Sequence, residues 1–141
     1  MNSTHLFIIA LLALPTIAHS AKWVSVGGND EVTVYVDTDS MRRVGTKAKT
    51  WLKWDWTKPQ ELPGTSLSKT YQFEKQLQIS DCRDLTLAIA QGIRYADREG
   101  NEVVDSYAVD GKAWKFSEPA PETIGESLVK FACKSTDPKR K

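Results

Sequence analysis

The chain has 141 residues and a nearly balanced charge, with 19 Lys and Arg against 18 Asp and Glu for a formal net charge of +1. A dedicated nucleic-acid-binding protein would carry a clear basic excess, so we do not expect nucleic acid as a partner. Both histidines, His5 and His19, lie within the first twenty residues. The rest of the chain therefore lacks imidazole, which excludes Ser-His-Asp and Cys-His catalysis and histidine-containing zinc sites.

Pairs of carboxylates are the remaining option for catalysis. Two such pairs occur, Asp81 with Asp84 and Asp37 with Asp39. Acidic pairs in turns are usually solvated, and no glycine-rich loop is followed by the Lys-Ser or Lys-Thr of a phosphate-binding motif. We therefore expect a protein that is not an enzyme and uses no cofactor or metal.

Residues 1–20 predict a secretory signal peptide. Residues 6–14 are an unbroken apolar run, and Ala18 and Ser20 are the small residues of a cleavage site. These nine residues are too few to cross about 30 Å of hydrocarbon, so no membrane span is expected. We predict cleavage after Ser20. Residue 21 is Ala, not the Cys that carries the acyl chains of a lipoprotein, so no lipid anchor is expected.

The first predicted elements are the strands of a β-hairpin. Residues 22–26 and 31–39 flank a Gly-Gly-Asn-Asp turn at 27–30. The second strand alternates Val32, Val34 and Val36 with Thr33, Tyr35 and Asp37. This period of two is typical of a strand with one face in the core. A polar connection is expected over 40–47.

A tryptophan-rich run, KTWLKWDWTK, covers residues 49–58 and predicts a strand that ends before Pro59. Alternation assigns its side chains to two faces. Thr50, Leu52, Trp54 and Trp56 belong to the core face, and Lys49, Trp51, Lys53 and Asp55 to the other. A Trp between two lysines suits a sugar, an aromatic ligand or a carboxylate-bearing partner. Two alternatives stay open: Trp51 packs against a loop, or a bulge inverts the parity.

Further strands are expected in the second half of the chain. Residues 66–82 predict one or two strands, 84–96 a central strand and 103–109 the strand that returns after a turn. Residues 110–116 predict a turn and a short strand around Trp114.

One helix is predicted, over residues 123–133. Thr123 and Glu126 have the spacing of a capping box, in which the hydroxyl accepts from the Glu126 amide and the Glu side chain accepts from the Thr123 amide. Its apolar stripe contains Ile124, Leu128 and Phe131, widened by Val129 and Ala132. Residues 134–141 form a basic tail, either a solvated terminus or a means of attraction to an acidic surface.

The elements predict an α+β fold: an antiparallel sheet of about six strands with the C-terminal helix packed on one face. Residues 21–133 suit a single domain. The two cysteines, Cys82 and Cys133, predict a disulfide in an exported protein, and such a bond would clamp the helix end to the sheet. Two free thiols or half of a metal site remain the alternatives.

The ordered motifs resemble the surface-adhesin protein E family of Gram-negative bacteria. They are WVSVGG, VYVDTDSMRR, GTKAKTWLKWDWTKP, SLSKTYQFE, a single DC, YADREGNEVVDS, Trp114 and IGESLVKFAC. The resemblance implies a Cys82–Cys133 bridge and a non-enzymatic role in adhesion to extracellular-matrix components, in some members as homodimers. The lipid anchor of named adhesins has no counterpart here, because the acylated cysteine is missing.

The sequence thus favours an exported, adhesin-like binding module that stays in the periplasm, reaches the cell surface or is secreted by a Gram-negative bacterium. An extracellular-matrix or envelope protein is the expected partner. The predicted binding residues are Lys49, Trp51, Lys53, Thr33 and Tyr35. The alternative is a periplasmic structural or assembly protein that acts through its sheet edge or a dimer contact.

Overall fold

The computed structural model describes residues 20–64 and 69–138. It contains β1 (Trp23–Gly28), β2 (Val32–Asp37), β3 (Arg42–Val44), β4 (Lys47–Glu61), β5 (Thr70–Asp81), β6 (Thr86–Tyr95), β7 (Val103–Ala108) and α1 (Ile124–Ser135). All seven strands belong to one antiparallel sheet, which confirms the predicted fold class. The predicted signal, apart from Ser20, and the last three residues of the basic tail lie outside the described residues.

The sheet has the order β1-β2-β4-β5-β6-β7, and β3 pairs with β4 beyond the end of β2. The first two strands form the predicted hairpin. Its turn is held by the Asn29 side chain, whose Oδ1 accepts from the amides of Glu31 at 2.8 Å and Val32 at 3.0 Å. This is the turn chemistry expected of asparagine.

Two boundaries around β4 differ from the prediction. The expected polar connection over 40–47 contains the short strand β3, followed by a turn in which Gly45 has φ +59°. Its charged residues gave no apolar alternation, so the strand was missed. β4 also continues through Pro59 to Glu61. Pairing with β5 is interrupted between Asp55 and Gln60, which accommodates a proline that has no N–H to donate.

The second half of the sheet follows the prediction more closely. Of the segment 66–82, for which one or two strands were expected, residues 66–68 lie outside the described residues and the remainder contains one strand, β5. β6 lies between β5 and β7, as expected of a central strand. The short strand expected around Trp114 is wrong. Residues Gly111–Ala113 form a 3-10 helix, and an isolated bridge joins Ser117 to Leu87.

The predicted helix is present and extends to Ser135. The Thr123 hydroxyl accepts from the Glu126 amide at 3.3 Å, as predicted. The reciprocal bond differs, because the Glu126 carboxylate accepts from the amide of Glu122 at 2.9 Å. Glu122 has φ +60°, which turns its amide toward the first helical turn.

The hydrophobic core lies between α1 and one face of the sheet, which we call the helix face. Its buried cluster contains Val32, Val34, Val36, Leu52 and Leu128, and Trp54, Trp56, Ile124 and Phe131 pack against it. The assignment of Trp54 and Trp56 to the core is therefore confirmed. The Cys82–Cys133 disulfide, with 5.4 Å between the Cα atoms, joins the end of β5 to α1. The opposite side of the sheet is called the far face.

Candidate binding face of the sheet

The predicted binding residues lie together on the far face. In an antiparallel sheet, residues paired in register share a face. Tyr35 is paired with Lys53 and Thr33 with Asp55, so β2 is the strand next to the tryptophan run. The face thus collects Thr33, Tyr35, Lys49, Trp51 and Lys53.

Lys53 is held against aromatic rings. Its Nζ lies 4.4 Å from the centroid of Tyr35 and 5.9 Å from that of Trp23. The negative ring faces attract the ammonium, and the half-buried position of the side chain strengthens that attraction. Trp23 was not among the predicted site residues. Side chains alternate between the two faces along both strands of the hairpin, which places Trp23 on the same face as Tyr35. This alternation is visible in the sequence and could have identified Trp23.

Trp51 is half-buried, and Lys49 beside it is exposed. Within the described part of the chain, the Trp51 indole N–H has no acceptor and the ring has no aromatic or cationic partner. The N–H is not sealed from solvent, in contrast to those of Trp54 and Trp56, which are buried without a partner. Trp51 is therefore the tryptophan of this run that is free to receive a hydrogen-bond acceptor.

A second cation–aromatic group, missed from the sequence, adjoins the first. Lys75 is paired directly with Lys53 across β4 and β5. Its Nζ lies 5.8 Å from the centroid of Phe73 and 5.2 Å from that of Tyr95, and these two rings stack at 4.5 Å. The alternation of β5 places Phe73 and Lys75 on one face, but the sequence does not give the register that sets Lys75 beside Lys53.

The segment after β7 covers another part of the far face. Nζ of Lys47 lies 5.2 Å from the centroid of Phe116, and Ser117 pairs with Leu87 in β6. The end of the face at the start of β4 is therefore partly occupied by this segment. The rest, around Trp51 and Lys53, carries the aromatic and basic side chains described above.

Three carboxylates on the far face lie near polar groups of other residues. Asp81 accepts from Nζ of Lys47 at 3.0 Å, and this hydrogen bond lowers the pKa of Asp81. Asp55 lies 4.0 Å from Arg98, and Asp37 accepts from the amide of residue 22 at 2.9 Å.

The lysines, in contrast, lack counter-ions. No carboxylate among residues 20–64 and 69–138 lies within 4.0 Å of Lys49, Lys53 or Lys75. In this part of the far face the three lysines therefore outnumber the carboxylates Asp37 and Asp55, although the whole chain is nearly neutral.

A polar network around Arg94 joins two carboxylates and two tyrosines. Arg94 lies between the rings of Tyr71 and Tyr107, at 5.2 and 5.1 Å, and forms ion pairs with Glu74 at 3.5 Å and Asp105 at 2.7 Å. The Tyr107 hydroxyl donates to Glu74 at 3.0 Å. Burial, aided by Glu74, raises the pKa of Tyr107 to about 12. The network ties β5, β6 and β7 together.

The carboxylates of Asp81 and Asp84, considered above for catalysis, are engaged in ion pairs. Asp81 pairs with Lys47, and Asp84 with Arg83 at 3.2 Å. Within the described ranges, no group of three or more His, Cys, Asp or Glu is arranged to hold a metal ion. No helix in those ranges is long and apolar enough to span a membrane.

Comparisons with known proteins identify the fold and the family. The chain resembles the crystal structure of protein E from non-typeable Haemophilus influenzae, with 19% identity, a TM-score of 0.57, and 92% of this chain and 90% of that one covered. Crystal form II of Haemophilus influenzae protein E gives 17% identity, a TM-score of 0.58, and 87% and 94% coverage. No curated protein sequence gives a significant match. The family model for surface-adhesin protein E matches residues 23–134, so the chain belongs to the surface-adhesin protein E family.

Proposed function

We propose that this protein is an exported, non-enzymatic binding module that attaches to extracellular or cell-envelope macromolecules through its far face. Membership of a surface-adhesin family supports a binding role. The observation that carries the proposal is Trp51, which stands between Lys49 and Lys53 and whose N–H has no acceptor and whose half-buried ring has no aromatic or cationic partner in the described residues. Aromatic and basic side chains of this kind are enriched at binding surfaces.

Binding of the purified protein to extracellular-matrix preparations and to envelope fractions tests the proposal. Trp51→Ala is expected to weaken binding about thirtyfold, the effect of losing a hot-spot residue worth roughly 2 kcal/mol. Lys130→Ala, an exposed position on α1 at the opposite side of the sheet, is the control and should bind like the wild type. Equal binding by wild type and Trp51→Ala would remove Trp51 from the site. Absence of binding by the wild type would refute the adhesin-like role.

Export is part of the same proposal. The apolar run 6–14 and the small residues that follow support cleavage after Ser20 and delivery to the periplasm or cell surface. Fractionation of cells into cytoplasm, periplasm, outer membrane and medium, with N-terminal sequencing of the protein recovered, should locate a chain that begins at Ala21. Recovery of the uncleaved chain from the cytoplasm would contradict this.

The sheet edge supports a second candidate function, structural assembly. In the described part of the chain, β7 pairs with β6 on one side only, and Val103 at its start is 55% exposed. An unprotected edge strand is a template for pairing with another chain, including a second copy. Light scattering over a range of protein concentrations would then show a dimer. A strict monomer at high concentration would exclude this candidate.

A further inference from the structure

The far face contains a pair of like charges that the fold itself does not require. Lys53 and Lys75 are opposite each other in register, where like charges are destabilising. Their ammonium groups interact with different rings, Lys53 with Tyr35 and Lys75 with Tyr95. These cation–π contacts hold both cations at the surface without neutralising either of them.

Two more cations extend this charged pair along the sheet. Lys49 lies four residues before Lys53, about 13 Å along the strand, and Arg42 is paired with Lys49 across β3 and β4. The Nη1 atom of Arg42 donates only to backbone carbonyls, those of Asp39 at 2.8 Å and Met41 at 2.7 Å. Arg42, like the three lysines, has no carboxylate within 4.0 Å in residues 20–64 and 69–138. We name Arg42, Lys49, Lys53 and Lys75 the cationic row.

We propose that the cationic row binds an acidic polysaccharide, a chain of sugars that bears sulfate or carboxylate groups, with one sugar ring stacked on Trp51. This inference rests on the proposed function and names its ligand class. Anionic groups some 5 to 13 Å apart match the spacing of the row. The N–H of Trp51 has no acceptor and its half-buried ring no aromatic or cationic partner in the described residues, so they suit a sugar hydroxyl and a sugar face.

The charge balance favours a polysaccharide over nucleic acid. The whole chain carries a net charge of only +1, and a nucleic-acid-binding surface depends on a large basic excess. The four cations of the row share one sheet face, and Trp51 lies between Lys49 and Lys53 in the same strand. A flexible sugar chain laid along β4 meets both the charges and the ring.

Binding to immobilised heparin as the sulfated probe tests the inference, with hyaluronan as a carboxylate-only probe and dextran as a neutral one. We expect retention on heparin at 0.15 M NaCl, elution by 0.5 M NaCl because the charges are screened, and no retention on dextran. Lys53→Gln with Lys75→Gln should weaken heparin binding about tenfold, since two surface charge contacts are lost. Trp51→Ala should weaken binding at 0.15 M NaCl and leave the salt dependence unchanged.

Lys130→Gln with Lys134→Gln is the matched control, because it removes the same charge from α1 on the opposite side of the sheet. It should bind heparin like the wild type. If both double variants weaken binding equally, only the total charge attracts heparin and the inference is wrong. Circular dichroism and thermal melting of every variant separate loss of binding from loss of fold.

Two further outcomes also overturn the inference. Binding to vesicles with anionic lipid, but not to heparin or hyaluronan, would assign the row to a membrane surface. Loss of matrix-protein binding by Trp51→Ala, with no retention of the wild type on either acidic polysaccharide, would support the proposed function and refute this ligand class. If the wild type binds heparin but no matrix or envelope preparation, the ligand class stands and the broader adhesin-like role fails.

Discussion

The disulfide between Cys82 and Cys133 is predicted to supply a large share of the stability of the domain. It links the end of β5 to the last turns of α1, with 51 residues of sequence separation between the two cysteines. The helix buries only Leu128, Val129 and Ala132 fully. The rest of its attachment depends on half-buried contacts and on this covalent link. The double variant Cys82→Ser, Cys133→Ser removes the link with little change in side-chain volume.

The expected loss follows from the length of the closed loop. Opening a loop of this length restores conformational entropy to the unfolded chain worth about 4 kcal/mol at 25 °C. Single domains of this size unfold with a free energy of about 5–15 kcal/mol. A loss of about 4 kcal/mol corresponds to a fall in Tm of roughly 15 °C.

Urea denaturation followed by tryptophan fluorescence and by far-ultraviolet circular dichroism measures this loss. The two signals should report the same transition in the wild type, because α1 and the sheet share one core. Reduction of the wild type under native conditions is an independent control and should give the same lowered midpoint as the double variant. If the free energy of unfolding falls by less than about 1 kcal/mol, the loop-entropy argument is refuted and packing alone anchors α1.

Two more predictions concern packing and pH. A Cβ at Gly92 would clash with the Tyr107 ring, so Gly92→Ala should lower the free energy of unfolding by about 1–3 kcal/mol through overpacking. Gly27→Ala, with nothing within 4 Å of its Cβ, is the control, and equal melting temperatures for both variants would contradict the prediction. The hydrogen bond from Lys47 lowers the pKa of Asp81 in the folded state. The ionised Asp81 therefore stabilises the fold at pH values above its unfolded pKa of about 4. This stabilisation is lost as the pH falls through the lowered pKa of the folded state. Urea midpoints at pH 7 and pH 2.5 should differ less in Lys47→Gln than in the wild type, and an identical pH dependence would refute this role of Lys47.

The elements visible in the sequence are those whose local pattern agrees with their tertiary environment. The valines of β2 alternate because one face of the strand is buried, and all three are in the core. Thr123 identifies the start of α1 because its hydroxyl satisfies an amide that lacks an intrahelical partner. β3 was missed because Arg42 and Arg43 are exposed or half-exposed and show no apolar alternation.

The candidate site could be predicted only in part from the sequence, for a different reason. Parity within β4 separates Trp51 from Trp54 and Trp56 without knowledge of any other strand. The juxtaposition of Lys53 and Lys75 depends on the register of β4 and β5, which is set by non-local packing. No local pattern in the sequence encodes that register. Lys75 and the cationic row therefore emerge only from the fold.

The tryptophans themselves offer the most direct test of the far face as the binding surface. Each of the five tryptophans of the chain gives one indole N–H signal in a ¹⁵N–¹H spectrum, and single Trp→Phe variants assign these signals. On titration with a polysaccharide or matrix protein that binds, the signals of Trp51 and Trp23 should shift. Those of Trp54 and Trp56, which are buried on the helix face, should stay in place. Shifts confined to Trp54 and Trp56, with Trp51 unmoved, would contradict the assignment of binding to the far face.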